Sequence, residues 1–289
     1  MTRENQHFRV RRILVPVDES AHSRTALEAA TVLAAALQAD ISCLFVEDEK
    51  LLKLAQHTFF REVCTHECRP RPAEELERDL KRQSERIRRM IAGAIGGMGI
   101  SWALDIRRGV VEAVILEQAT SADLIVMGRL GRSLLGSTMG SVARHHILHG
   151  RGQTMFIQEG FRLNSPILTV FTGSALSQRA LALAAGIAGV IGGELEILLP
   201  AADRQSLREL KAAAAEHPAA AAVRKRYQPL DLPLARGLLA RLFQSTQREL
   251  LVLPADAAAD PRPEGVLELI SRINNPVLLI RNEHPPPNT

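Results

Sequence analysis

A chain of 289 residues that is 46% apolar but only 3% aromatic must build its core from alanine, leucine, isoleucine and valine, which suits helices laid on a parallel sheet. The net charge of +4 is spread evenly, with 22 Lys and Arg against 20 Asp and Glu in residues 1 to 160 and 14 against 12 in the remainder, so the concentrated basic face of a nucleic-acid binder is excluded. No window approaches ~18 uninterrupted apolar residues, the opening MTRENQHFRV lacks a secretory apolar stretch, and Cys43, Cys64 and Cys68 form an odd, sparse set; the expectation is a cytoplasmic chain with no membrane partner.

RRILVPVD, residues 11 to 18, is a short β-branched run suited to a strand buried on both faces. A helix follows, with Leu27, Thr31, Ala34 and Leu37 at helical spacing, and ISCLFVED is a second strand. Residues 49 to 72 are less regular. The next helix, from Ala73, carries an apolar stripe of Leu76, Leu80, Ile87 and Ile91 between charged flanks. ISWALDIRRG reads as a strand, VVEAVILEQATS as a helix and ADLIVMG as a strand. The glycine-rich GRLGRSLLGSTMGSV, a helix SVARHHILH and a strand QTMFIQ close the unit. Alternation of this kind predicts a doubly wound parallel sheet.

A second unit begins near residue 164 and repeats the first. At an offset of 154, ILVPVDES onward aligns with ILTVFTGS onward, matching Ser23 with Ser177, Ala26 with Ala180 and Leu27 with Leu181. Further on, DLIVMG lies opposite ELLVLP, and TMFIQ opposite PVLLIR. A tandem duplication accounts for both. The expected architecture is α/β: two Rossmann- or flavodoxin-like domains, residues 1–160 and 161–289, each an open five-stranded parallel sheet with helices on both faces. EGFRLNS would join them, and NEHPPPNT would be a tail kept out of any helix by proline.

In such a sheet, ligands sit beyond the carboxyl ends of the strands where strand order reverses. The glycine cluster stands in that place, after the fourth strand and before a helix whose unpaired amides attract anions. Glycines let backbone approach the anion, Ser141 offers a hydroxyl, and Arg129 and Arg132 offer charge. The alternative is an ordinary surface loop. Asp18 likewise has two readings: a carboxylate facing a ribose or an adenine, or a cap on the helix starting near Ala21.

RRILVPVDES, ISCLFVED and DLIVMGRLGRSLLGSTMGSV, in that order, resemble the universal stress proteins in their tandem two-domain form, across most of residues 9 to 158 with a fainter echo over 165 to 281. The resemblance implies an adenine nucleotide, ATP or else AMP or ADP, with Mg2+ as its companion ion. It assigns Pro16, Val17 and Asp18 to the end of the first strand and Val46 to the adenine. The family's phosphate loop, G-x2-G-x9-G-[ST], maps onto Gly128, Gly131, Gly140 and Ser141, flanked by Met127, Arg129, Arg132 and Val142. Here only eight residues separate Gly131 from Gly140, one fewer than the pattern. The resemblance also implies an internal pseudo-dimer meeting at the fifth strands, around Phe156 and Leu278; a further homodimer and a protein partner stay open.

The second copy lacks these groups: Thr172 stands opposite Asp18, Val170 opposite Pro16, and PADAAADPRPEG replaces the glycine loop, so it is expected to be nucleotide-free. His57, Cys64, His66 and Cys68 do not have the spacing of a structural zinc site, and no metal is assigned. Their segment reads instead as a lid or partner surface, with Phe59 and Phe60 packed down. Of His145 and His146, one is expected to face the sheet. The run KRQSERIRR reads as a solvated helix face laced with Glu77, Asp79 and Glu85. No GK[ST] loop or placed lysine supports phosphoryl transfer, so no catalytic residue is assigned and any ATPase would be slow. The expected function is stress-associated ATP binding by the first domain; the alternative is a nucleotide-free module that docks a partner through residues 50 to 97.

Overall fold

Runs with apolar residues on both faces are stable only as strands inside a sandwich of helices. The computed structural model, which describes residues 10–50, 61–63, 68–70, 73–129, 139–163, 166–231, 249–258, 260–273 and 275–282, has that form. In chain order the first half comprises β1 (Arg12–Pro16), α1 (Ala21–Leu37), β2 (Asp40–Asp48), a small antiparallel pair β3 (Arg61–Val63) and β4 (Cys68–Pro70), α2 (Ala73–Ile95), β5 (Trp102–Gly109), α3 (Val111–Ala119), β6 (Leu124–Gly128), α4 (Ser141–His149) and β7 (Gln153–Ile157). The second half comprises β8 (Ile167–Val170), α5 (Ala175–Val190), β9 (Glu194–Ala201), α6 (Arg204–Glu216), β10 (Arg224–Asp231), β11 (Leu251–Pro254), α7 (Pro263–Arg272) and β12 (Val277–Ile280).

The strands of both halves form one ten-stranded sheet in the order β5-β2-β1-β6-β7-β12-β11-β8-β9-β10. Every pairing in it is parallel except β7 with β12, where the halves meet. Met155 there faces Leu278 and Phe156 faces Val277, all fully buried. Because that one pair is antiparallel, the carboxyl ends of the strands point to opposite edges of the sheet in the two halves. Within each half the order reverses once, between β1 and β6 and between β8 and β11.

The duplication extends to the helix caps. Ser20 caps α1 by accepting from Ser23 N–H, and Ser174 caps α5 by accepting from Ser177 N–H, each at 3.1 Å. The other ends match as well: Ala39 N–H donates to Ala34 O and Gly193 N–H to Ala188 O, closing the same turn. The left-handed residue in that turn is Gly192 in the second copy but Gln38 in the first, at φ 54°. Ser23 and Ser177 thus match because both brace a buried helix start. The expected α1 stripe is buried at Leu27, Thr31 and Ala34, and Thr31 Oγ1 donates to Leu27 O at 2.8 Å.

On the other face of the sheet α4 packs against α7. Arg281, just beyond β12, reaches across the junction: Nη1 donates to the carbonyls of His146 (3.0 Å) and Ile147 (2.9 Å), at the negative end of α4. No helix among the described residues is long and apolar enough to cross a membrane. His57, Phe59, Phe60, Cys64, His66, Gly131, Arg132 and the tail beyond Asn282 lie outside the described residues.

Candidate functional site

At the strand reversal of the first half β1 and β6 part early, as β8 and β11 do in the second half, and Pro16 reinforces the parting. Val17 N–H donates to Leu44 O on β2 (2.8 Å), so the preceding backbone nitrogen faces β6, and Pro16 has no hydrogen to give it. Register with β2 continues to Pro16 opposite Leu44, whereas register with β6 runs only through Ile13 and Leu14. The opening holds a cavity of about 380 Å³, within the usual range for small-molecule sites.

The walls come from both sides of the reversal. Pro16, Val17 and Asp18 follow β1, Val46 ends the apolar part of β2, Met127 and Gly128 end β6, and Gly140, Ser141 and Val142 open α4; all of these line the cavity. The apolar walls also include Leu44 and Ile115, and Leu80 and Gln83 of α2 line the cavity too. Leu80 was legible only as one member of a core stripe. The stripe divides: Ile87 and Ile91 are fully buried in the core, whereas Leu80 is half-buried and lines the cavity. Of the basic run on this helix, Arg82 pairs with Asp79 as expected, but Arg86 pairs with Glu19, tying α2 to the segment before α1.

Asp18 is fixed by its turn. Oδ1 accepts Ser20 N–H at 2.9 Å and Ser20 Oγ–H at 2.5 Å, while Ser23 Oγ–H donates to Asp18 O at 2.6 Å. It therefore steadies the cap of α1 without being the cap. In the second copy Thr172 Oγ1 donates to Ser174 Oγ at 3.1 Å, so a hydroxyl does the same bracing without a carboxylate.

The start of α4 is open. Gly140 is its N-cap and supplies no side-chain bond, which leaves the first-turn amides without intrahelical partners at the positive end of the helix. Gly140 N–H donates to Arg129 O (2.9 Å), so the two described ends of the glycine segment are joined. α7 in the second copy likewise has no side-chain cap, but its first turn differs. α7 begins with Pro263 and Glu264, an acid in its own first turn, and just ahead of it Arg262 pairs with Asp260 at 2.8 Å.

Arg129 lies outside the cavity. Its expected role was to lend charge to a phosphate, but its side chain is 3% exposed and turns away from the cavity into the junction of the halves. Nη1 donates to Ile273 O (2.6 Å) and Nη2 to Ile270 O, at the carbonyl end of α7. Burial lowers its pKa to about 10. Arg129 and Arg281 thus make reciprocal crossings, each capping the last helix of the opposite half. Burial also pushes the Cys43 thiol up to about 12, so this cysteine is a packing residue in the core.

Residues 9–151 match the model of the universal stress protein family. No curated protein matches the sequence. Among solved structures, a universal stress protein from Archaeoglobus fulgidus DSM 4304 matches 96% of this chain and 99% of its own at TM-score 0.68 and 18% identity. A functionally unknown protein from Pseudomonas aeruginosa PAO1 matches 96% and 95% at 0.62 and 14% identity. The cytoplasmic domain of a prokaryotic cation chloride cotransporter matches 95% and 96% at 0.53 and 11% identity. At such identities the likeness is one of fold, and it runs through both halves. Residues 9–151 therefore belong to the universal stress protein family, in a chain whose second half repeats the same fold.

Proposed function

We propose that the first half binds an adenine nucleotide, ATP or its relatives AMP and ADP, in the crevice between β1 and β6, and that the protein acts through occupancy of this site. The observation that carries the reading is one cavity with three complementary parts. Apolar walls of Leu44, Ile115 and Met127 suit a purine, the Asp18 carboxylate suits a sugar or an exocyclic amine, and the uncapped start of α4 suits phosphate. The second copy supports it by contrast, since it folds alike with threonine at position 172 and with an acid, Glu264, in the first turn of its last helix. Mg2+ would enter with a triphosphate. The absence of a GK[ST] lysine from the sequence supports binding without efficient turnover.

Calorimetric titration of AMP and ATP into the full chain and into Asp18→Ala tests the proposal. Binding that weakens about tenfold or more in the variant, equivalent to about 1.4 kcal/mol, is the expected result. Equal affinity in both proteins, or none in either, overturns it. A nucleotide-free interaction module is the second reading, favoured by the one-residue-short spacing of the glycine segment. Adenine nucleotide released from heat-denatured purified protein would exclude it.

A further inference from the structure

The cavity that would receive a polyanion has a wall of the wrong sign. Among the described residues lining it, Asp18, Glu47 and Asp48 are acids and none is a base. Glu47 is engaged by Arg108, whose Nη2 lies at 2.9 Å, and Asp48 Oδ1 accepts Lys50 N–H at 2.9 Å. A fourth acid lies beside the cavity rather than in its lining and reaches the start of α4. Glu112, in the first turn of α3, accepts Ser141 Oγ–H at Oε1 (3.3 Å), on the first residue of α4. Its Oε2 lies 3.9 Å from Lys50 Nζ, an ammonium that is 61% exposed and so neutralises it weakly.

A helix start attracts an anion through partial charges, about half a unit in sum, whereas Glu112 opposes it with a full one. At about 5 Å and an effective dielectric constant of about 40 to 80, each added phosphate charge near this carboxylate would lower affinity about four- to seventeenfold. The sugar and purine portions of a ligand carry no charge and are indifferent to it.

We propose that Glu112 is a specificity residue that makes this crevice select a nucleoside monophosphate over a triphosphate. The inference rests on the adenine-nucleotide reading above. AMP and ATP are titrated into the full chain in EDTA, so that no divalent cation masks the carboxylate, and the ratio of their dissociation constants is read. Wild type should favour AMP by about tenfold or more, and Glu112→Gln should shrink that preference by about tenfold; Glu112→Lys should shrink it further. The wild-type preference should also narrow as salt rises from about 0.05 to 0.5 M. A ratio unmoved by both substitutions, or wild type that binds ATP as tightly as AMP, overturns the filter. In that case binding that is still lost in Asp18→Ala leaves the adenine reading standing. Binding of neither nucleotide defeats both.

Discussion

His146 should make the folded chain sensitive to mild acid, and the size of the effect follows from its surroundings. It is the histidine of its pair that faces the sheet, 1% exposed, with Nε2 3.0 Å from Thr154 Oγ1. The same oxygen accepts from Arg281 Nη2 at 3.3 Å. Burial first, then the charges of Arg281 and His145, lowers the imidazole pKa to about 3. Unfolded chains take up the proton near the ordinary value of about 6.5, so the unfolded state binds more protons below that pH. The stabilising effect of keeping His146 neutral is complete above about 6.5 and is lost progressively as pH falls toward about 3. At about pH 5 the loss is about 1.5 pH units times 1.36 kcal/mol, or about 2 kcal/mol. Urea unfolding of wild type and His146→Leu at about pH 7.5 and pH 5 isolates it, because any fixed packing cost of leucine cancels in the difference between pH values. Wild type should lose about 2 kcal/mol more than the variant on acidification; equal losses would mean that the ring takes up its proton as readily in the folded chain as in the unfolded one.

Arg129→Met leaves the carbonyls of Ile270 and Ile273 without the donor that reaches them, and should cost about 2–4 kcal/mol in urea unfolding. AMP affinity should stay within about twofold in the same variant, whereas a phosphate-binding arginine would lose about tenfold or more. Gln38→Gly relieves a left-handed residue whose counterpart is already glycine, and should raise stability by about 0.5–1 kcal/mol; a loss would mean that the glutamine side chain contributes more than its backbone strain costs.

Much of the fold was legible because its signals are local. Buried strands reveal themselves as β-branched runs, α1 and α5 as alanine-rich helices with a serine at each start, and the duplication as a constant offset that carries Ser20 and Ser23 onto Ser174 and Ser177. The position of the crevice was legible too, since glycines that follow one strand and lead into a helix stand at the reversal of strand order. What could not be read was long-range. Arg129 beside a glycine cluster resembles a phosphate ligand until the antiparallel joining of β7 and β12 brings the carbonyl end of α7 within its reach. Nothing in the sequence singles out Glu112, because its bond to Ser141 depends on how α3 and α4 pack. Leu80 and Ile87 share one stripe, and only the height of α2 over the sheet decides which of them meets the cavity.

Amide chemical shifts in an AMP titration test residue by residue whether the crevice between β1 and β6 is an adenine-nucleotide site. The largest changes should fall on Val17, Asp18, Val46, Ser141 and Val142, with the equivalent positions around Thr172 and Glu264 unmoved. Saturating AMP that leaves those first-half amides unshifted, or that shifts the second half instead, contradicts that assignment.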